Sequence, residues 1–137
     1  LLNTFTNSNT GSTSYSGTGN ITGDLTNSGT LTLNDDLNFQ GTNFTNQAGG
    51  NISAANNADK KINLKGSNMV FTNAGTLGKV NAQSTLTSFD NQAGGSITGD
   101  FTNISGNTIT TFTNQGTING TLTNQGTITN LTQSGTI

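Results

Sequence analysis

Few side chains in this sequence could do chemistry. Ten of its 137 residues are charged, six Asp and four Lys, and His, Cys, Trp, Pro, Arg and Glu never occur. Asp35 and Asp36 are the only adjacent acids. A carboxylate pair can serve as general acid and base. Neighbours on a strand point to opposite faces, however, so a turn between Leu33 and Leu37 accounts for this pair better. Asp24 and Asp100 each precede a large apolar residue, Leu25 and Phe101, and Asp90 follows Phe89. Asp24 and Asp100 thus share one repeat position and read as turn residues whose carboxylates accept nearby backbone N–H groups. A calcium ladder would need a Gly-rich nonapeptide with a recurring Asp, and that pattern is absent. Lys60, Lys61, Lys65 and Lys79 form the only basic group. A solvated loop is the plain reading of it. Contact with an anionic glycan or a partner protein, through Lys60, Lys61 and Lys65, is the sharper one.

The missing residue types exclude whole classes. Without Cys or His there is no zinc finger, haem attachment, disulfide scaffold or thiol chemistry. Four Lys and no Arg exclude an electrostatic nucleic-acid binder. A Ser or Thr nucleophile would lack an evident base. β-Helix enzymes that cut acidic polysaccharides use several acids with Arg or Lys in one cleft. The expectation is therefore a non-enzyme with no cofactor and no metal. No apolar run approaches about 18 residues, so no transmembrane segment is expected, and any export signal would lie outside this chain. Sequons at Asn20, Asn43, Asn51, Asn103, Asn119 and Asn130 are no more frequent than the abundance of Asn, Ser and Thr produces by chance. Thr-x-Thr pairs at 4/6, 30/32, 85/87, 108/110, 111/113, 121/123 and 127/129 raise ice binding as a minor reading, but their spacing is irregular.

With so little chemistry, the elements carry the message. Asn, Thr, Ser and Gly fill 82 positions, and Leu, Ile, Val and Phe only 29, at a net charge of −2. Disorder at this hydrophobicity usually goes with high net charge, so the spacing of the apolar residues decides. That spacing is regular. A unit of Phe or Leu, Thr, Asn, one or two residues, Gly, one residue, then Ile or Leu recurs along the chain. It reads Leu25-Thr26-Asn27 to Leu31, Phe44-Thr45-Asn46 to Ile52, Phe71-Thr72-Asn73 to Leu77, and Phe89-Asp90-Asn91 to Ile97. It continues as Phe101-Thr102-Asn103 to Ile109, Phe112-Thr113-Asn114 to Ile118, Leu122-Thr123-Asn124 to Ile128, and Leu131 to Ile137, with Phe5-Thr6-Asn7 a degraded first copy. The opening residues step by 20, 19, 27, 18, 12, 11, 10 and 9. A coil of about 20 residues, carrying one unit early and two late, explains those steps. The 27-residue step holds Ser53–Lys61, which reads as an inserted loop.

Apolar and polar residues alternate at Leu31, Leu33, Leu37, Phe39, Ile62 and Leu64, the strand period. Thr favours strands, Asn and Gly supply turns, and helix formers are scarce. Strands of three to five residues cannot stand alone, so each must stack on the next coil. The result is one all-β domain over residues 1–137, a β-solenoid with like residues in register. The expected core ladder is Leu25, Leu31, Phe44, Ile52, Phe71, Leu77, Phe89, Ile97, Phe101, Ile109, Phe112, Ile118, Leu122, Ile128 and Leu131. Asn27, Asn46, Asn73, Asn91, Asn103, Asn114 and Asn124 should form amide ladders of the kind seen in cross-β stacks.

The unit Leu25-x-Asn27-x-Gly29-x-Leu31-x-Leu33, followed by Asp35-Asp36-Leu37-x-Phe39, resembles the haemagglutinin-type repeat of the filamentous haemagglutinin family. Ile97-Thr98-Gly99-Asp100-Phe101-Thr102-Asn103 and Ile118-Asn119-Gly120-Thr121-Leu122 resemble it too, and autotransporter passengers of Gram-negative bacteria look similar. The resemblance implies a single-stranded right-handed parallel β-helix from a secreted or cell-surface exoprotein. Such proteins act as adhesins, biofilm factors or stalks that present toxins, so a structural stalk or adhesive segment is expected, with a passenger fragment of a secreted toxin as the runner-up. Expected partners are a host-cell or bacterial surface glycan or protein, or copies of the chain stacked end to end. The chain opens on Leu1-Leu2 and stops on Ile137 without polar caps, so a fragment of a longer repeat protein is expected, with a self-assembling fibre subunit as the alternative.

Overall fold

The structure is a computed structural model that describes residues 3–8 and 10–137. Its described residues form nineteen short strands and one 3-10 turn, Ala55–Asn57. Every strand pairing is parallel, and partners lie about one coil apart in sequence, so the chain is a β-solenoid. Three sheets make its walls. Sheet 1 stacks β1 (Phe5–Asn7), β4 (Leu25–Asn27), β7 (Asn43–Asn46), β10 (Met69–Asn73), β13 (Leu86–Asn91), β16 (Thr108–Asn114) and β19 (Thr127–Gln133). Sheet 2 stacks β2 (Ser12–Tyr15), β5 (Thr30–Leu33), β8 (Asn51–Ala54), β11 (Thr76–Leu77), β14 (Ser96–Ile97) and β17 (Thr117–Ile118). Sheet 3 stacks β3 (Asn20–Ile21), β6 (Leu37–Phe39), β9 (Lys61–Leu64), β12 (Lys79–Ala82), β15 (Phe101–Asn103) and β18 (Leu122–Asn124). At about 4.8 Å per strand, sheet 1 runs some 30 Å along the axis.

The core follows from the register. On sheet 1, Leu25, Phe44, Phe71, Phe89 and Phe112 stack inward, all fully buried. The rings of Phe44 and Phe71, Phe71 and Phe89, and Phe89 and Phe112 lie 4.8, 4.6 and 4.8 Å apart and close to parallel. A parallel sheet sets that spacing, because like side chains on adjacent strands are one strand width apart. On sheet 2, Leu31, Ile52, Leu77, Ile97 and Ile118 stack in the same way.

Several expectations change in detail. The units opening at Phe101 and Leu122 lie on sheet 3, where Phe101 follows Leu37, Ile62 and Val80. Ile109 and Ile128 belong to longer strands of sheet 1, above Met69 and Leu86, and do not continue the sheet 2 column. Leu131 keeps its register over Phe112 but is 62% exposed, and Leu122 and Ile128 are half-buried. All three lie in the last described coil, where the final rank of each ladder is more exposed. Of the segment 53–61, Ser53 and Ala54 close β8 and Lys61 opens β9. Only residues 55–60 leave the wall, because the strand ladder holds both flanks.

Candidate functional site

The Thr-Asn-x-Gly corner is built from close contacts. Asn7, Asn27, Asn46, Asn73 and Asn91 each donate a side-chain N–H to the amide oxygen of the Asn one coil on, ending at Asn114, over 2.7–2.9 Å. The same amides also donate to corner carbonyls: Asn27 to Gly29 at 2.9 Å, Asn46 to Gly50 at 3.2 Å and Asn91 to Thr117 at 3.3 Å. All six are buried; the four inner amides replace water with the amide above and below, while Asn7 and Asn114 have one amide neighbour each. The corner glycines let coils come this close. A Cβ on Gly75 would lie 2.2 Å from the Gly50 carbonyl oxygen, and one on Gly116 2.1 Å from that of Gly95. The longer Gln-Ala-Gly-Gly corners add a turn residue at positive φ, Gly49 at 83° and Gly94 at 89°.

Asn103 and Asn124 make a second, short ladder on sheet 3, joined at 2.8 Å. Beneath Asn103 lies Ala82, which has no amide, so the Asn103 side-chain oxygen is buried without a partner. Asn124, in the last coil, is exposed rather than buried.

Outward residues form ranks as well. Thr6, Thr26, Thr45, Thr72, Asp90, Thr113 and Thr132 line sheet 1, one per coil. The Thr-x-Thr pairs 30/32, 111/113 and 121/123 fall on or beside sheets 2, 1 and 3 respectively, so no face carries one such pair per coil.

Four of the six aspartates tie corners to a neighbouring coil, whereas Asp90 lies within β13. Asp24 accepts the backbone N–H of Asn43 at 3.1 Å, and Asp100 that of Thr121 at 2.9 Å. These donors are one coil away, not in the same turn as expected, and the two acids stand at different corners, one leading into sheet 1 and one into sheet 3. Asp35 and Asp36 share the corner between β5 and β6 as turn residues. Asp35 accepts the Gly17 N–H at 2.7 Å, and Asp36 the Lys61 N–H at 2.9 Å.

All four lysines lie on the edge formed by sheet 3 and the loop leading into it. Lys60 pairs with Asp35 at 3.7 Å, while Asp59 pairs with Lys61 at 3.6 Å and Lys79 at 2.6 Å. The Lys79 hydrogen bond, with the charges of Lys61 and Lys79, holds the Asp59 carboxyl below the usual carboxylate range. The same bond and the Asp59 charge push the Lys79 ammonium up. These pairs strap residues 55–60 to the coils on either side. Lys60 and Lys61 are thus partly engaged, whereas Lys65 is exposed and has no ionic partner among the described residues. Lys60, Lys61 and Lys65 are neighbours in the chain, and coil stacking brings Lys79 and Asp35 into contact with that segment.

Among the described residues no three potential metal ligands cluster, and no helix is long and apolar enough to cross a membrane. No family model matches the chain, and neither does any curated protein or solved structure.

Proposed function

We propose that this chain is a rigid rod segment of a bacterial cell-surface or secreted exoprotein, working as a stalk or adhesive stretch. The observation that carries this reading is the unbroken stacking of sheet 1, in which aromatic, amide and threonine ranks run through the same coils. Such a wall resists bending because every coil is hydrogen-bonded to the next along its length. The haemagglutinin-type units around Leu25–Phe39 and Ile97–Asn103 support the extracellular assignment. Its surface needs little charge, since outward Thr, Asn and Ser keep the walls wet. In this role the protein acts mechanically, holding a binding or toxic region away from the cell.

Electron microscopy across a concentration series, with circular dichroism on the same samples, tests the reading. A strand spectrum with short rods of constant length is expected. Long fibres that grow with concentration would replace the stalk with a self-assembling subunit. A spectrum without strands would overturn both.

A further inference from the structure

The three walls differ in charge. Sheet 3 and its loop hold every lysine, while the outward ranks of sheet 1 carry none. On sheet 3, Asn20, Asn38, Asn63 and Asn81 stand in register as an amide rail, one per coil, half-buried except at Asn63, which its neighbours cover. Lys61 and Lys65 flank Asn63 on its own strand wall, and Lys79 stands in register with Lys61. Beside the rail is a shallow cavity of about 340 Å³, lined by Lys60, Lys65, Asn38, Asn63, Asp35 and Asp36.

The groups around this cavity divide into engaged and free. Asp36 and Asn63 are engaged in hydrogen bonds, although Asp36 keeps its charge: Asp36 accepts the Lys61 N–H, and Asn63 donates to Asn38 at 3.2 Å and accepts from Gln83 at 3.1 Å. Lys65 is free, and the Lys60–Asp35 pair is half-exposed and long, so an incoming anion can take over Lys60 at small cost. The remaining amide groups of Asn38 and Asn81 suit hydroxyls, which donate and accept alike.

We infer that this strip binds an acidic polysaccharide, with one carboxylate-bearing sugar seated at Lys60 and Lys65 and the chain following the amide rail along the solenoid axis. The charge pattern favours a carboxylated sugar chain over duplex DNA. Four lysines in a chain of net charge −2 are too few for a dense phosphate lattice, whereas a few cations beside planar amides match a uronate chain, which carries one carboxylate per sugar among its hydroxyls. The inference rests on the rod reading and names the partner of its adhesive face.

The test uses the whole chain on surfaces carrying polygalacturonate, dextran or a DNA duplex. Wild type is compared with K60Q/K65Q, with K65R, and with T45S on sheet 1, each checked for its strand spectrum. Wild type should hold polygalacturonate and not dextran or DNA, and should release it as salt rises. K60Q/K65Q should bind about tenfold more weakly, while K65R and T45S keep wild-type affinity. Equal binding to dextran or DNA, or an unchanged affinity in the double variant, would overturn the inference. So would a folded wild type that ignores polygalacturonate, and that result leaves the rod standing. A wild type without strands would remove the rod and this inference together.

Discussion

At the scale of single residues, the amide ladder separates side chains that look alike in the sequence. Asn73 sits mid-ladder, donating to Asn91 at 2.8 Å and accepting from Asn46 at 2.9 Å. Asn73→Ala removes both bonds and leaves two buried amide groups without their partner. Its expected cost is about 2–3 kcal/mol, from the desolvation of the stranded groups. Asn124→Ala, at the exposed end of the shorter ladder, should cost about 0.5 kcal/mol or less. Denaturant titration of both variants checks this, and equal losses would mean that the ladder bonds contribute nothing specific. The sequence shows Asn at the third place of every unit from Phe5 to Leu122, with Gln133 there in the last. It does not show that Asn103 stands over Ala82 and so lacks a lower partner.

At the scale of the elements, each strand is too short to hold itself, and its stability comes from the column it joins. Phe71 is buried between Phe44 and Phe89, with ring centroids 4.8 and 4.6 Å away. Truncating it to Ala opens a cavity that neighbouring rings cannot fill without breaking register, at about 3–5 kcal/mol. Leu131 occupies the same column but is 62% exposed, so Leu131→Ala should cost below about 1 kcal/mol. A loss below that level for Phe71→Ala in chemical denaturation would contradict its place in the column. The alternating pattern made strands legible, and the unit made the column legible. Sheet membership was not, because the unit at Phe101 is spelled like the one at Phe89 and yet lies one wall away.

At the scale of the whole molecule, stability is close to a sum over neighbouring coils, so it should grade along the axis. In the isolated 137-residue chain, amides of β10 and β13, paired on both sides, should exchange slowest. Those of β19, paired on one side only, should exchange fastest. Hydrogen exchange read by mass spectrometry checks the order. Uniform protection from β1 to β19 would show a single cooperative unit instead. The same stacking sorts charge by wall, bringing Asp35, Asp59, Lys60 and Lys79 to one edge from three successive coils.

By itself the sequence determined the class of structure. A period near 20 residues, apolar positions at alternating spacing and a Gly in every repeat unit leave a stacked all-β coil as the way to bury so few large side chains. The period is a property of the chain, so it survives without coordinates. Only the tertiary structure decided which repeat faces which wall, which amide ends a ladder, and that the lysines share an edge. Those facts depend on how many residues each corner consumes. Corners of two and four residues both follow a Thr-Asn or Asp-Asn pair, and at Gly75 and Gly116 a side chain would collide with the backbone of the coil before it, so only Gly fits there.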